Sequence, residues 1–191
     1  MELISITTYK HLSIYEEEWL AILKENQNSN PFIEYEFVCN LLKSLEGHGE
    51  VKIYAVKEHN RMIAFFPFQL KKTWFGYIMH FLAPEETKMM DIVAKKRDVD
   101  RAIMFVFDEI ITYKKNTIFH LHGLVESGGT PSKISNYLKA RNMKEQNITK
   151  NNDGNGLSKI IFSTSILKAK TYRNFLWVKD SFNSKKMERK G

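Results

Sequence analysis

Residues 97–113 read RDVDRAIMFVFDEIITY. Val99, Ile103, Val106 and Ile110 recur at intervals of three and four, which places them on one face of a helix. Tyr77 to Leu82 upstream and Thr117 to Leu124 downstream read as strands, with an irregular stretch from Ala83 to Lys96. Before them, Val51 to Lys57 and Met62 to Leu70 form the arms of a hairpin across His59-Asn60, and Gly76 makes the next turn. Pro67 falls inside the return strand. A residue without an N–H predicts a bulge or an edge at that point.

The flanks complete the order. Leu3 to Thr8 is a short first strand. Ser13 followed by Glu16 is the signature of a capping box, opening a helix with Tyr15, Trp19, Ile22 and Leu23 on one face. A second helix is expected from Phe32 to Leu45, with Phe37, Leu41 and Leu45 facing one way. After the central region, Thr130 is positioned to cap a helix from Pro131 to Arg141, with proline at its first position. Met143 to Ile148 is expected to pair with Leu157 to Thr164 across the Asn- and Gly-rich turn 151–156. The predicted order is β-α-α-β-β-β-α-β-α-β-β, a mixed α/β (α+β) fold.

Composition bounds the function. The chain has 191 residues, 43% of them hydrophobic, which is enough to bury a core and argues against disorder. The longest uninterrupted apolar run, Met62 to Phe68, is far short of the ~20 residues a membrane span requires. No secretory signal is visible at the N-terminus. Cys39, the single cysteine, makes neither an internal disulfide nor a cysteine-based metal site; on the second helix, without a basic neighbour, it reads as an inert thiol. These features predict a cytoplasmic protein. The net charge is +7, and the last 25 residues hold eight basic and two acidic groups, so nearly all the excess sits in a terminal appendage. A DNA-binding body would carry a basic face instead. The basic tail is expected to be a solvated helix or frayed end, with binding to RNA or an anionic surface as the rival reading.

The predicted order, with Trp19-Leu20, Asn30-Pro31-Phe32, Val51 to Val56, Ile63 through Pro67-Phe68, Phe81-Leu82 and Asp91-Ile92-Val93, resembles the GNAT acetyltransferases. More narrowly it is similar to the first unit of CelD-type acetyltransferases, relatives of the FemAB aminoacyltransferases, which carry two such units in tandem. The resemblance covers about residues 10–165. It implies a central, mostly antiparallel sheet flanked by helices. It also implies acyl transfer from acetyl-CoA or another acyl-CoA to an amine, on a small-molecule amine or a sugar or peptide precursor in polysaccharide or cell-envelope biosynthesis. The domain is expected to span 1–165, with 166–191 as the opening of a missing second unit. That second unit, or self-association, is the expected partner.

In that superfamily the cofactor pyrophosphate sits at the start of the long helix, on the pattern Arg/Gln-x-x-Gly-x-Gly/Ala. Here the stretch is Arg97-Asp98-Val99-Asp100-Arg101-Ala102. Arg97 and Ala102 match. Asp100 replaces a glycine and blocks close approach of the backbone, and Asp98 adds a second acid where positive dipole is wanted. The cofactor site therefore reads as degenerate, or Asp98 is simply a helix-starting acid.

Three other groups of residues carry chemistry of their own. His120 and His122 share a strand face and have the intrinsic acidity of a general base. As a metal site they lack a third ligand, Asp91 being the one tempting acid, and no metal is expected. Ser127-Gly128-Gly129-Thr130 before a helix lacks the lysine of a phosphate loop and reads as an ordinary cap. Phe65, Phe66, Phe68, Trp74 and Phe75 form an aromatic cluster, which predicts either core packing or an exposed patch that a second unit would cover.

Overall fold

The computed structural model describes residues 1–26, 30–45, 50–74, 76–82, 89–114, 117–125, 129–141, 143, 147–150 and 157–163. Its elements are β1 (Glu2–Ile6), α1 (Tyr9–Leu12), α2 (Glu16–Asn26), α3 (Tyr35–Leu45), β2 (Glu50–Glu58), β3 (Arg61–Thr73), β4 (Gly76–Phe81), β5 (Val93–Ala94), α4 (Val99–Tyr113), β6 (Thr117–Val125), α5 (Thr130–Ala140), β7 (Asn147–Lys150) and β8 (Leu157–Ser163). One sheet runs in the order β1-β2-β3-β4-β6-β8-β7, with β5 paired to β3. Every pairing is antiparallel except β4 with β6, which is parallel. Parallel neighbours need a crossover, and α4 supplies it.

Helices cover both faces of the sheet. Trp19 of α2 packs on Phe65 at 4.7 Å between ring centres, and its indole N–H donates to the Ile33 carbonyl at 3.0 Å. On the other face Phe107 of α4 meets Phe66, Phe68 and Phe119, with Tyr137 of α5 against its edge. Period-two alternation sends neighbouring phenylalanines to opposite faces, and each face has its own helix layer. Phe65, Phe66 and Phe68 are fully buried, so the expectation that one set would need an outside partner is corrected. Trp74 is the exception at 88% exposure, and Phe75 lies outside the described residues. No helix among the described residues is long and apolar enough to cross a membrane.

Several local expectations shift. The first helical region begins earlier than Ser13, at Tyr9, where Thr8 caps by accepting from the His11 N–H at 3.2 Å. Ser13 is therefore interior, and its hydroxyl donates back to the Lys10 carbonyl at 2.8 Å instead of forming a capping box. In α3 the buried stripe is Tyr35, Val38, Cys39 and Leu42; Phe37, Leu41 and Leu45 are half-buried beside it. A short 3-10 turn at Pro31–Ile33, capped by Asn30, precedes α3, which starts at Tyr35 and not at Phe32. At α5 the cap position is Gly129, at φ +74°, and Thr130 is the first helical residue.

Other expectations hold. His59 and Asn60 both have positive φ, as a tight hairpin turn requires. Pro67 lies opposite Ile53 of β2, where no N–H is asked of it on the other side: β3 pairs with β4 from Phe68 onward and with β5 at Ala64 and Phe65. The missing donor falls at the break between two partner segments, a local edge inside the sheet. The Leu82 N–H donates to the Pro67 carbonyl there, at 2.9 Å. Residues 166–191, and the boundary proposed near 165, lie outside the described residues.

Candidate functional site

The strands β4 and β6 are in register at three pairs, Tyr77 with Thr117, Ile78 with Ile118 and Met79 with Phe119. Beyond these the two strands share no ladder, although β4 continues to Phe81 and β6 to Val125. The sheet therefore forks at the carboxyl ends of its one parallel pair, the position where open α/β sheets place their ligand crevices. His80 is the next residue on β4 and His120 the next on β6. Their rings lie 5.3 Å apart, and His122 follows at 5.6 Å from His120. His120 is buried, and His80 and His122 are half-buried. Gly123, at φ +77°, sits at the irregularity where the pairing of β6 with β8 shifts register before continuing to Val125.

Asp91 is not part of that group. Phe119 packs under α4, so the alternating His120 faces the opposite side of the sheet. Asp91 instead meets Thr130 at the start of α5, and its Oδ1 accepts the Ile92 N–H at 2.7 Å. Burial raises its carboxyl to about 6, against the opposing pull of those two hydrogen bonds. No group of three His, Cys, Asp or Glu among the described residues is placed to hold a metal ion.

At the head of α4, the N–H groups of Asp98 and Val99 both donate to the Lys95 carbonyl, at 2.8 and 3.0 Å. The buried Asp98 makes no capping bond with its side chain. It receives Arg101, whose Nε and Nη2 lie at 3.0 and 2.7 Å, while the same guanidinium grips Glu58 of β2 with two bonds at 2.9 and 2.6 Å. These carboxylates hold the guanidinium above its already high ordinary value, Asp98 most of all. Asp100 pairs with Lys133 of α5 at 2.5 Å. Arg97 is largely exposed, and Ala102 is fully buried against the core. Asn26 fixes the approach to this turn, donating to the Ala94 carbonyl at 2.6 Å and accepting the Lys96 N–H at 3.3 Å. Asn30 donates to the Met89 carbonyl at 2.6 Å.

No family model matches the chain, and no curated protein matches its sequence. Solved structures do match in shape. A GNAT-family acetyltransferase from Desulfovibrio desulfuricans described as putative aligns over 86% of this chain and 99% of its own, at 13% identity and TM-score 0.50. A ribosomal-protein-S5-alanine acetyltransferase from Vibrio fischeri aligns over 85% and 91%, at 14% identity and TM-score 0.50. An N-acetyltransferase from Staphylococcus aureus Mu50 aligns over 87% and 99%, at 8% identity and TM-score 0.50. The chain has the GNAT acetyltransferase fold.

In that GNAT frame the head of α4 is where the sequence pattern for a cofactor pyrophosphate was sought. The residues present do not fit a pyrophosphate held by backbone N–H groups. Two such groups are spent on the Lys95 carbonyl, and Asp100 carries a side chain where the pattern has glycine. The two acids are less repulsive than the sequence suggests, because each has a cationic partner. Lys95 and Arg97 are themselves paired, with Glu25 at 3.3 Å and Asp98 at 3.7 Å, so acids and bases alternate around this turn.

The GNAT sheet brings His80 to the two histidines singled out from sequence, and sequence reading missed it. His80 lies in a separate strand, 40 positions before His120. The parallel register that makes them neighbours is a tertiary fact with no sequence period. The Gly129-Thr130 segment acts as a helix start, as expected, and Ser127 and Gly128 lie outside the described residues.

Proposed function

We propose that the chain is an amine acyltransferase unit of the CelD/FemAB-like type whose acyl-donor site is closed, leaving the acceptor side of the fold intact. The observation that carries this reading is the fork between β4 and β6 with His80, His120 and His122 at it. Acyl transfer to an amine needs a neutral nucleophile and a group to take its proton, work suited to imidazole near its ordinary titration range. The fork places three imidazoles where two strand ends part. Acceptors of the proposed class are amines on small molecules or on sugar or peptide precursors of polysaccharide or envelope synthesis.

A non-catalytic binding module is the second reading, and the head of α4 favours it. Lys95 occupies the N–H groups of Asp98 and Val99, and the Arg101 fork ties that turn to β2. Both readings make acetyl-CoA binding weak or absent in this chain. Amines separate them. Under the first reading, saturating amino-sugar or peptide amine perturbs the imidazole resonances of His80, His120 and His122 in a heteronuclear NMR titration. Under the second, no amine shifts these resonances. Acetylation of an amine acceptor from acetyl-CoA at an ordinary enzymatic rate would overturn the binding-module reading and the closed donor site, and leave an active acyltransferase.

A further inference from the structure

At the opposite end of β4 from the fork, the structure gathers aromatic and basic side chains. Trp74 sits in the β3–β4 turn with 88% of its surface exposed, and Tyr113 at the end of α4 is 76% exposed. Lys71 and Lys72 are exposed just before the turn. The end of α4 is joined to the same edge: Lys114 lies over the Tyr77 ring, with Nζ 5.0 Å from its centre, and Tyr77 is in register with Thr117. Among the described residues the stretches Leu70 to His80 and Ile110 to His122 carry Lys71, Lys72 and Lys114, and the acid nearest to Tyr113 along α4 is Glu109, one turn before it. The nearest acid in the sheet register is Glu50, opposite Leu70 on β2.

We infer that this edge docks on an anionic phospholipid surface. Tryptophan and tyrosine combine an apolar body with a polar tip and settle at the headgroup boundary. Lysines reach from apolar stems toward lipid phosphates, and each contributes on the order of 1 kcal/mol near an anionic leaflet. A large exposed indole at a hairpin tip flanked by lysines meets both demands. Single-strand nucleic-acid binders build on several stacked aromatic platforms, and no ring pair is seen between Trp74 and Tyr113 among the described residues. The site is separate from the histidine fork and does not depend on the proposed reaction.

The test is vesicle co-sedimentation of the full chain with phosphatidylcholine mixed with phosphatidylglycerol, and with phosphatidylcholine alone. Binding is expected to the mixed vesicles, and to weaken as salt rises. The double variant K71A/K72A is expected to weaken it about 25-fold, fivefold per lysine at ~1 kcal/mol each. The basic tail contains Trp177, so the emission readout must separate the two indoles. A blue shift on binding that persists in Trp177→Phe and disappears in Trp74→Phe supports docking through the turn. A blue shift that persists in Trp74→Phe and disappears in Trp177→Phe overturns it in favour of the tail. Equal binding by K71A/K72A also overturns it, as does RNA binding that depends on these residues while vesicles fail to bind. The substituted residues are exposed, and far-UV circular dichroism of each variant checks that the fold is kept.

Discussion

Replacing Asp91 by Asn should stabilise the protein at neutral and alkaline pH and do little in acid. Asp91 is 6% exposed, just before β5 and against Thr130 at the head of α5. Burial lifts its carboxyl from 3.8 to about 6, in spite of hydrogen bonds from the Ile92 N–H and Thr130. A folded-state value above the unfolded one means that the native protein binds the proton more tightly. The associated stability is fully present below the unfolded value and is lost as pH rises through about 6. At ~1.4 kcal/mol per decade of acidity, the gap corresponds to about 3 kcal/mol once the carboxylate is fully ionised. Asparagine keeps an oxygen for the Ile92 N–H and carries no charge, so it escapes this loss. Urea denaturation of both proteins at about pH 4 and about pH 8 measures the difference, which should swing toward the variant by about 2–3 kcal/mol with rising pH. An unchanged difference at the two pH values would show that Asp91 is not held protonated by burial. A swing toward the wild type would show that its hydrogen bonds outweigh the desolvation.

Further outcomes follow from the packing and the ion network. Phe107→Ala removes the ring that joins Phe66, Phe68, Phe119 and Tyr137, and should cost about 3–5 kcal/mol, lowering Tm by roughly 10 °C in a thermal melt. Asn30→Ala loses the cap of the 3-10 turn and the bond to the Met89 carbonyl, and should cost about 1–2 kcal/mol by urea denaturation. Arg101→Met leaves the buried Asp98 without its fork, and should speed amide exchange at Asp98 and Val99 relative to the rest of α4. Equal exchange in the wild type and this variant would show that the network does not hold the head of the helix.

What the sequence made legible follows its periodicities. The stripe Val99, Ile103, Val106 and Ile110 announced α4, and the alternation through β2 and β3 announced the hairpin. Their order was enough to predict the architecture. The stripe expected for α3 was one position off: the helix starts at Tyr35, after a 3-10 turn over Pro31–Ile33, and buries Tyr35, Val38, Cys39 and Leu42. The two-residue β5 was missed because it is defined only by its pairing with Ala64 and Phe65. The same limit hid His80: its relation to His120 depends on a parallel register created by α4. At the head of α4 the sequence showed the intrusive Asp98 and Asp100 but not their pairing: Lys133 comes from α5, and Arg101, three residues after Asp98, is fixed by Glu58 of β2. The Asp100 side chain in place of glycine was visible in the sequence, whereas the two donors taken by the Lys95 carbonyl were not.

Isothermal titration of the full chain with acetyl-CoA tests the closed donor site most directly. No saturable heat is expected for the wild type, and a measurable gain in affinity is expected for Asp100→Gly, where the side chain no longer obstructs the backbone. Micromolar binding by the wild type, with the pyrophosphate protecting the N–H groups of Asp98 and Val99 from exchange, would contradict a closed donor site.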